Sequence, residues 1–376
     1  METTPIRAAE FFAGIGLVRT ALEPLGVQVE WANDIKQAKF EAYAANHPDA
    51  LQHFRIGDIR EVKGEQLPPD IQLATSSFPC IDLSLAGNRR GLVGEQSGMF
   101  WQFARVLKEM PSQPSIILLE NVHGFATSKG GKDLEDALHC LSGLGYSLDV
   151  IAIDARHFVP QSRPRMFIVG INKEELPKNA HLGTPEVSDV RPAWVRDIHA
   201  RHRETANMHY VDLPTLPSGP TDLTAVVEVN VAAELWWTED RVQAFVDSLS
   251  DGQRARFEAL RTAESLSYRS AYRRTRQGIS MWELRRDAIA GCLRTTGGGS
   301  SKQALVELGF GREPRIRWMT PREYANLMGA GSYKLVAGTA NQQLFGFGDA
   351  VVVDVVRWIG KHYLVPVLRP DKSTNA

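Results

Sequence analysis

The chain has 376 residues, 43% hydrophobic and 23% charged, with a formal net charge of −1 at neutral pH. This composition supports a packed core and excludes global disorder, and the length suits two domains better than one. No apolar run approaches the roughly 18 residues of a membrane span, and the start, METTPIRAAEFF, lacks the features of a secretory leader. RAAEFF (7–12) reads as a buried strand followed at once by Gly14 and Gly16, and VQVEWA (27–32) as a second strand. IQLATSS (71–77) and SIILLE (115–120) are further strand candidates, and SLDVIAI (147–153) with RMFIVGI (165–171) suggests a closing antiparallel pair. Helical patterns fill 35–46, 97–110 and 131–143. Alternating strands and helices imply an α/β fold, a doubly wound, mostly parallel sheet that binds ligands beyond the carboxyl ends of its strands.

The pattern changes near residue 172. The stretch from Pro177 to Pro220 is rich in Pro, Ser, Thr and His without clear periodicity. Order returns at Trp318, where TPREYANLMG has a capped helix start: Thr320 as N-cap, Pro321 at the first helical position and Glu323 three residues after the cap. AVVVDVVRWIGKHYL (350–364) is a final apolar helix or strand. Cys80, Cys140 and Cys292 lie far apart and form neither a zinc spacing nor a disulfide framework, so no metal is expected and a reducing cytoplasm is.

Charge is unevenly distributed. Residues 205–251 carry eight acids and one base, whereas 254–317 carry thirteen arginines and Lys302 against six acids. A phosphate backbone senses such a local basic surface rather than the net charge. A solvated charged face is the plain alternative. Arginine in particular suits bidentate contact with phosphate and guanine.

Gly14-x-Gly16 after a strand begins a dinucleotide-type turn, and Asp34 at the end of the second strand stands where an acid binds ribose hydroxyls. Arg19 occupies the place of the third glycine, which disfavours NAD. S-adenosylmethionine has adenosine but no pyrophosphate, so it needs the turn and the acid without the full phosphate loop. Asp58 in GDI (57–59) is a second acid, suited to an adenine amino group. At the other end of the chemistry, SFPCIDLS (77–84) places Pro79-Cys80 after a strand, ENV (120–122) places Glu120-Asn121 at a strand end, and QSRPR (161–165) adds Gln161, Arg163 and Arg165. Each alone has a bland reading as a buried cysteine, a strand-end acid or a surface arginine pair.

Together and in this order, these motifs resemble the DNA (cytosine-5) methyltransferase family: Phe-x-Gly-x-Gly, Pro-Cys, Glu-Asn-Val, Gln-x-Arg-x-Arg, and the late RWMTPREYANLMG and FGDAV. The resemblance covers nearly the whole chain. It implies a class I, Rossmann-like catalytic domain over 1–172 and 318–376, with a target-recognition domain inserted at 173–317. It implies S-adenosylmethionine as donor, held by Phe12, Gly14, Gly16, Asp34, Ile35, Asp58, Ile59, Phe78, Pro79, Asp349 and Ala350. The implied catalytic residues are Cys80, Glu120, Arg163 and Arg165, and the implied DNA contacts are Ser84, Arg89, Arg90, Asn121, Gln161, Arg273, Arg274, Arg276 and Arg294. It further implies a monomer acting on duplex DNA at the nucleoid, and it leaves open whether a cognate restriction endonuclease, not stably associated, accompanies it.

The chemistry explains these residue types. Carbon 5 of cytosine is a poor nucleophile, and addition of a thiolate to carbon 6 turns the ring into an enamine that attacks a methyl sulfonium. A protonated Glu120 would stabilise density pushed onto ring nitrogen 3, and Arg163 or Arg165 would bind the cytosine carbonyl. The base must leave the duplex stack, and the glycine-bearing 84–98 segment is a candidate closing loop. Two positions depart from the family pattern: Ile81 replaces a common Gln, and Asp349 a common Asn. Three other readings compete. A tRNA methyltransferase on the same fold is disfavoured by the large Arg-rich insertion, a non-catalytic DNA-binding regulator by the intact Cys80, Glu120 and Arg163, and an NAD enzyme by Arg19.

Overall fold

The computed structural model describes residues 4–79, 98–276, 278–295, 302–335 and 338–370. They pack as two compact units, one of 1–154, 164–216 and 353–376, the other of 155–163 and 217–352.

The first unit is built on a seven-stranded sheet of β1 (Ile6–Phe11), β2 (Val27–Asp34), β3 (Phe54–Ile56), β4 (Leu73–Ser76), β5 (Ile116–Asn121), β6 (Tyr146–Asp154) and β7 (Pro164–Asn172). The order is β3-β2-β1-β4-β5-β7-β6. The first five strands run parallel, while β7 is antiparallel to both β5 and β6. The expected closing pair is thus β6 with β7, in unbroken register from Tyr146↔Asn172 to Asp154↔Pro164. Helices α1 (Leu17–Leu22), α2 (Gln37–Asn46), α3 (Met99–Glu109), α4 (Lys132–Gly143) and α5 (Ala193–His202) belong to the same unit. The central strands are buried on both faces, as parallel sheets require. Ala9 and Phe11 join a cluster with Phe103, Ile117 and Leu138, while Val29 and Ala32 join Tyr43 and Phe54 in another. The chain winds outward to β2 and β3 on one side of β1 and to β4 and β5 on the other. The carboxyl ends of β1 and β4 therefore flank the crevice where such sheets bind ligands.

The irregular stretch after residue 172 has a definite task. Leu148 N donates to Asn207 O at 2.7 Å and Ala152 N to Val190 O at 2.8 Å, so the chain covers the outer edge of β6. A buried polar network fastens it there. Asp149, 0% exposed, accepts from Arg191 Nη2 at 2.5 Å and Tyr363 Oη at 2.9 Å, and Tyr363 meets His209 Nε2 at 2.9 Å. Tyr363 lies in the apolar run near the C-terminus, which is helical over Val353–Ile359.

The second unit holds a four-stranded antiparallel sheet, β11-β10-β8-β9, of β8 (Ser267–Arg276), β9 (Ile279–Leu284), β10 (Gln303–Leu308) and β11 (Arg315–Trp318). Phe245 of α6 (Glu239–Asp247) and Phe257 of α7 (Asp251–Arg261) pack on Ala271, Leu284, Val306 and Ile316. The capped helix is α8 (Pro321–Leu327), and its capping box is complete: Glu323 N donates to Thr320 Oγ1 at 3.1 Å, and Thr320 N to Glu323 Oε2 at 2.9 Å. Arg317, 0% exposed, binds the same Glu323 carboxylate at 2.5 and 2.7 Å, so the Arg-x-x-Thr-x-x-Glu stretch acts as a buried structural clamp. Helix α9 (Ala340–Asp349) carries Phe347, Gly348 and Asp349, with Ala350 just beyond its end.

Candidate active site

The predicted nucleoside residues gather at the carboxyl ends of β1, β2 and β3. After β1 the backbone turns through three left-handed positions: Phe12 (φ 56°), Gly14 (φ 58°) and Gly16 (φ 81°). A Cβ on Gly16 would sit 2.8 Å from Tyr43 Cδ2 and 2.9 Å from His47 Nε2, so that position demands glycine for space as well as for φ. At Gly14 nothing lies closer than 3.9 Å, which leaves the turn open. Asp34 fixes it, accepting from Gly14 N and Lys36 N, both at 3.0 Å. Ile35, 59% exposed, presents an apolar face beside that carboxylate. Asp58 caps its own short turn and pairs with Arg60 at 2.6 Å, while Ile59 is buried in the core and offers a ligand only its backbone.

Beneath the turn lies a charged cluster that sequence reasoning missed. Arg19 is 6% exposed and bonds Asp49 Oδ1 at 2.8 Å, Glu23 Oε1 at 3.0 Å and His53 Nε2 at 3.1 Å. Tyr43 Oη meets the same His53 nitrogen at 3.2 Å. The arginine that displaced the third glycine is therefore the hub holding α1 and α2 under the loop. Glu10, in β1, is 2% exposed and neither carboxyl oxygen makes a well-formed hydrogen bond. Burial pushes its pKa up to about 8 against the opposing pull of Arg19. His47, whose Nε2 approaches Gly16 O at 3.3 Å, is pushed down to about 4, first by burial and then by Arg19. The signal was Glu10 itself, an acid set between Ala9 and Phe11 in a strand.

The reacting end lies at β4, β5 and the start of β7. Phe78, buried against Phe100 and Phe125, and the partly buried Pro79 lead directly to Cys80. Cys80, Ile81, Ser84, Arg89, Arg90 and nearly all of the 84–98 segment lie outside the described residues. Asn121, expected to touch DNA, is instead 4% exposed, and its Nδ2 donates to Phe78 O at 3.3 Å. It ties the end of β5 to the approach to Cys80. Because β7 runs antiparallel to β5, its first residues lie beside the last of β5, and Arg165 Nε reaches Glu120 Oε1 at 2.8 Å. Both side chains keep a little exposure, 15% and 12%.

Two further expectations need correction. Gln161, assigned to DNA, is 0% exposed with both ends of its amide used: Nε2 donates to Leu327 O at 2.7 Å and Oε1 accepts from Leu293 N at 3.2 Å. Arg163, one of two arginines proposed for the cytosine carbonyl, is 2% exposed and donates to Leu293 O (3.0 Å), Gly348 O (2.9 Å) and Ala350 O (2.7 Å). Its two terminal nitrogens donate to backbone within the second unit, where they position the segment bearing Asp349, whose side chain is exposed. Arg165, not Arg163, is the arginine paired with Glu120.

Part of the basic block is structural. Arg261, Arg285 and Arg315 pair with Glu258, Asp287 and Glu307, and Arg317 is buried. Of the 268–278 segment, residues up to Arg276 lie in strand β8. Its inner part, with Ser270 and Ala271, is buried, while Arg273 and Arg274 emerge exposed at the outer end. Arg273 lies 6.0 Å from the Trp282 ring and Arg274 pairs with Glu283 at 3.4 Å. Arg294 is exposed, and the side chain of Arg276 lies outside the described residues.

A doubly wound sheet with a nucleoside-type turn at the end of β1 and a carboxylate–arginine pair at the end of β5 defines a class I, Rossmann-like methyltransferase fold. The C-5 cytosine-specific DNA methylase family matches residues 6–364, and the chain belongs to that family of DNA (cytosine-5) methyltransferases. The type II methyltransferase M.NgoPII of Neisseria gonorrhoeae is 28% identical over 59% of this chain and 62% of its own length. M.Bsp6I of Bacillus sp. (strain RFL6), also a type II methyltransferase, is 26% identical over 95% of this chain and 98% of its own. In fold the chain resembles the S. pombe Dnmt2 methyltransferase, with a TM-score of 0.62 over 97% of this chain and 99% of that one at 18% identity. Among the described residues no helix is long and apolar enough to cross a membrane.

Proposed function

We propose that this chain methylates carbon 5 of a flipped cytosine at a specific sequence in duplex DNA, through a covalent adduct with Cys80. The observation that carries the reading is the Arg165–Glu120 pair at 2.8 Å, on strand ends tied by Asn121 to the segment that leads to Cys80. S-adenosylmethionine fits the residues at the other strand ends: Asp34 suits ribose hydroxyls, the exposed Ile35 suits the adenine face, and the turn at Gly14 is uncrowded. When bound, it supplies an electrophilic methyl group.

The Cys80 thiolate adds to carbon 6, and the ring's electron pair moves toward carbon 5 and nitrogen 3. Arg165 donates to the cytosine carbonyl oxygen, and the Glu120 carboxyl group meets nitrogen 3. Carbon 5 takes the methyl group and then loses its proton to a base. The electrons of that C–H bond re-form the 5,6 double bond and expel the Cys80 thiolate. Atoms in the duplex are out of reach of such a pocket, so the base must flip. On this reading the enzyme works as a monomer in the cytoplasm, on nucleoid DNA. A cognate restriction endonuclease is its functional counterpart rather than a stable partner.

The decisive experiment uses DNA substituted with 5-fluorocytosine. Fluorine cannot leave as a proton does, so the parent protein should be trapped as a covalent complex, and Cys80→Ser should form none and show no turnover. Near-normal turnover by Cys80→Ser would remove the covalent mechanism. Labelled methyl transfer to tRNA instead of duplex DNA would move the substrate assignment.

A further inference from the structure

Away from the strand ends, the first unit holds a second set of chemistry-bearing side chains. Glu135 and His139 are four residues apart on α4 and so share one of its faces. His202, the last residue of α5, comes to the same place from 63 residues further along the chain. One donor atom from each of the three lies within 4.8 Å of the others. The two imidazoles stand edge to face with centroids 6.4 Å apart. Nε2 of His139 is sealed from solvent without a hydrogen-bond partner. The ring of His202, 4% exposed, makes no side-chain hydrogen bond among the described residues. Buried polar groups are ordinarily satisfied, so the orphaned His139 nitrogen, converging with a second imidazole beside a carboxylate, calls for a missing partner.

We propose that Glu135, His139 and His202 form a binding site for a divalent transition-metal ion of the zinc class, one imidazole nitrogen from each histidine and one carboxylate oxygen serving as ligands with water completing the set. Two imidazoles and one carboxylate favour zinc over magnesium or calcium, which prefer all-oxygen shells. Donor atoms about 2.0–2.1 Å from a tetrahedral zinc stand roughly 3.4 Å from each other, so small side-chain rotations bring the present cluster to that geometry. Glu135 is free to turn. Its partner Lys132, at 3.1 Å, also holds Asp136 at 2.9 Å, so no charge is stranded when the carboxylate moves to the metal. The ion would pin α4, the helix that follows the Glu120 strand, to α5. Because these ligands converge only in the folded chain, binding would raise thermal stability by mass action.

The test takes the full chain, stripped with chelator, and titrates it with Co²⁺ and then Zn²⁺. One equivalent of Co²⁺ should give visible d–d absorption that one equivalent of Zn²⁺ abolishes. Zn²⁺ should raise Tm by several degrees, and Mg²⁺ should do neither. His139→Ala and His202→Ala should each weaken Zn²⁺ binding at least tenfold. The half-exposed Glu135→Gln, which leaves the core untouched, should do so by about tenfold while the apo protein keeps its parental Tm. The absence of saturable one-to-one binding, or binding unchanged in the Glu135→Gln chain or in the double histidine variant, overturns the site. Methyl transfer is not the readout, so this result stands or falls separately from the proposed reaction.

Discussion

Arg165 Nε lies 2.8 Å from Glu120 Oε1, across a junction where β7 runs antiparallel to an otherwise parallel sheet. The reversed strand is what makes the contact. A parallel β7 would start at the opposite edge and leave the strand-end acid without its arginine.

If the pair orients and stabilises the cytosine ring, neither member is dispensable and the two act as a unit. Glu120→Gln and Arg165→Ala should each lower kcat by about 10²–10⁴-fold, the usual range for a lost proton donor or fixed dipole. The double variant should be little worse than the poorer single one. Single-turnover methylation of one defined oligonucleotide measures all three, and rates within tenfold of the parent for both single variants would dissociate the pair from the reaction.

Asp34 has a structural duty besides its proposed one, since its two oxygens hold Gly14 N and Lys36 N. Asp34→Ala should therefore weaken S-adenosylmethionine binding by roughly 1–3 kcal/mol, and Asp34→Asn, which retains one acceptor oxygen, by less. Calorimetry on both variants checks the order. Unchanged affinity in Asp34→Ala would shift the ribose contact to another acid, with Asp58 the first to try.

Much of this architecture was legible in the sequence because strands buried on both faces appear as uninterrupted apolar runs, as in SIILLE of the parallel β5 and RMFIVGI of the antiparallel β7. The capping box at Thr320 and Glu323 was legible because its chemistry is local. What escaped reading depends on distant partners. Gln161 and Arg163 stand in a motif that suggests substrate contact, yet their bonds go to Leu293, Leu327, Gly348 and Ala350, more than a hundred residues away. The arginine count of 254–317 also overstated the exposed basic surface, because Arg317 is buried against Glu323 and Arg261 pairs with Glu258 on its own helix. The changes of pattern near 172 and 318 mark where regular periodicity stops and resumes. The packing divides elsewhere, because the irregular 173–216 stretch covers β6.

Glu10 should leave a mark on the pH dependence of stability. Its carboxyl ionises near 4.5 when exposed and at about 8 in the fold, because it is buried. Between those values the folded chain holds a proton that the unfolded chain has lost, so Glu10 makes stability fall as pH rises from about 4.5 to 8. His47 and His209, pushed down to about 4 by burial, act oppositely and lose stability as pH falls from 6.5 toward 4. Glu10→Gln isolates the first effect. The variant should gain on the parent with rising pH, at no more than about 1.4 kcal/mol per pH unit, and the histidine contributions cancel in the comparison. Urea melts of both proteins at pH 5, 6.5 and 8 give the curve, and a constant difference across them would show that Glu10 is not held neutral.

The last prediction concerns where DNA sequence is read. Arg273 and Arg274 emerge at the outer end of β8 and Arg294 is also exposed, whereas the inner part of that strand is core. If one of the three reads guanine, its replacement by Ala should relax specificity at one base pair and cost about 1–3 kcal/mol there. If it meets only phosphate, affinity should fall evenly over all sequences and the salt slope should shrink by about one unit. Arg274 carries a further condition. Its pairing with Glu283 at 3.4 Å must be given up to reach DNA, so Glu283→Gln should raise non-specific affinity if Arg274 is a DNA contact and leave it unchanged otherwise. Methylation profiling of the single variants on a randomised duplex library, with binding measured at two salt concentrations, separates base reading from phosphate anchoring. Parental site preference, affinity and salt slope in all of them would place recognition outside this end of the sheet.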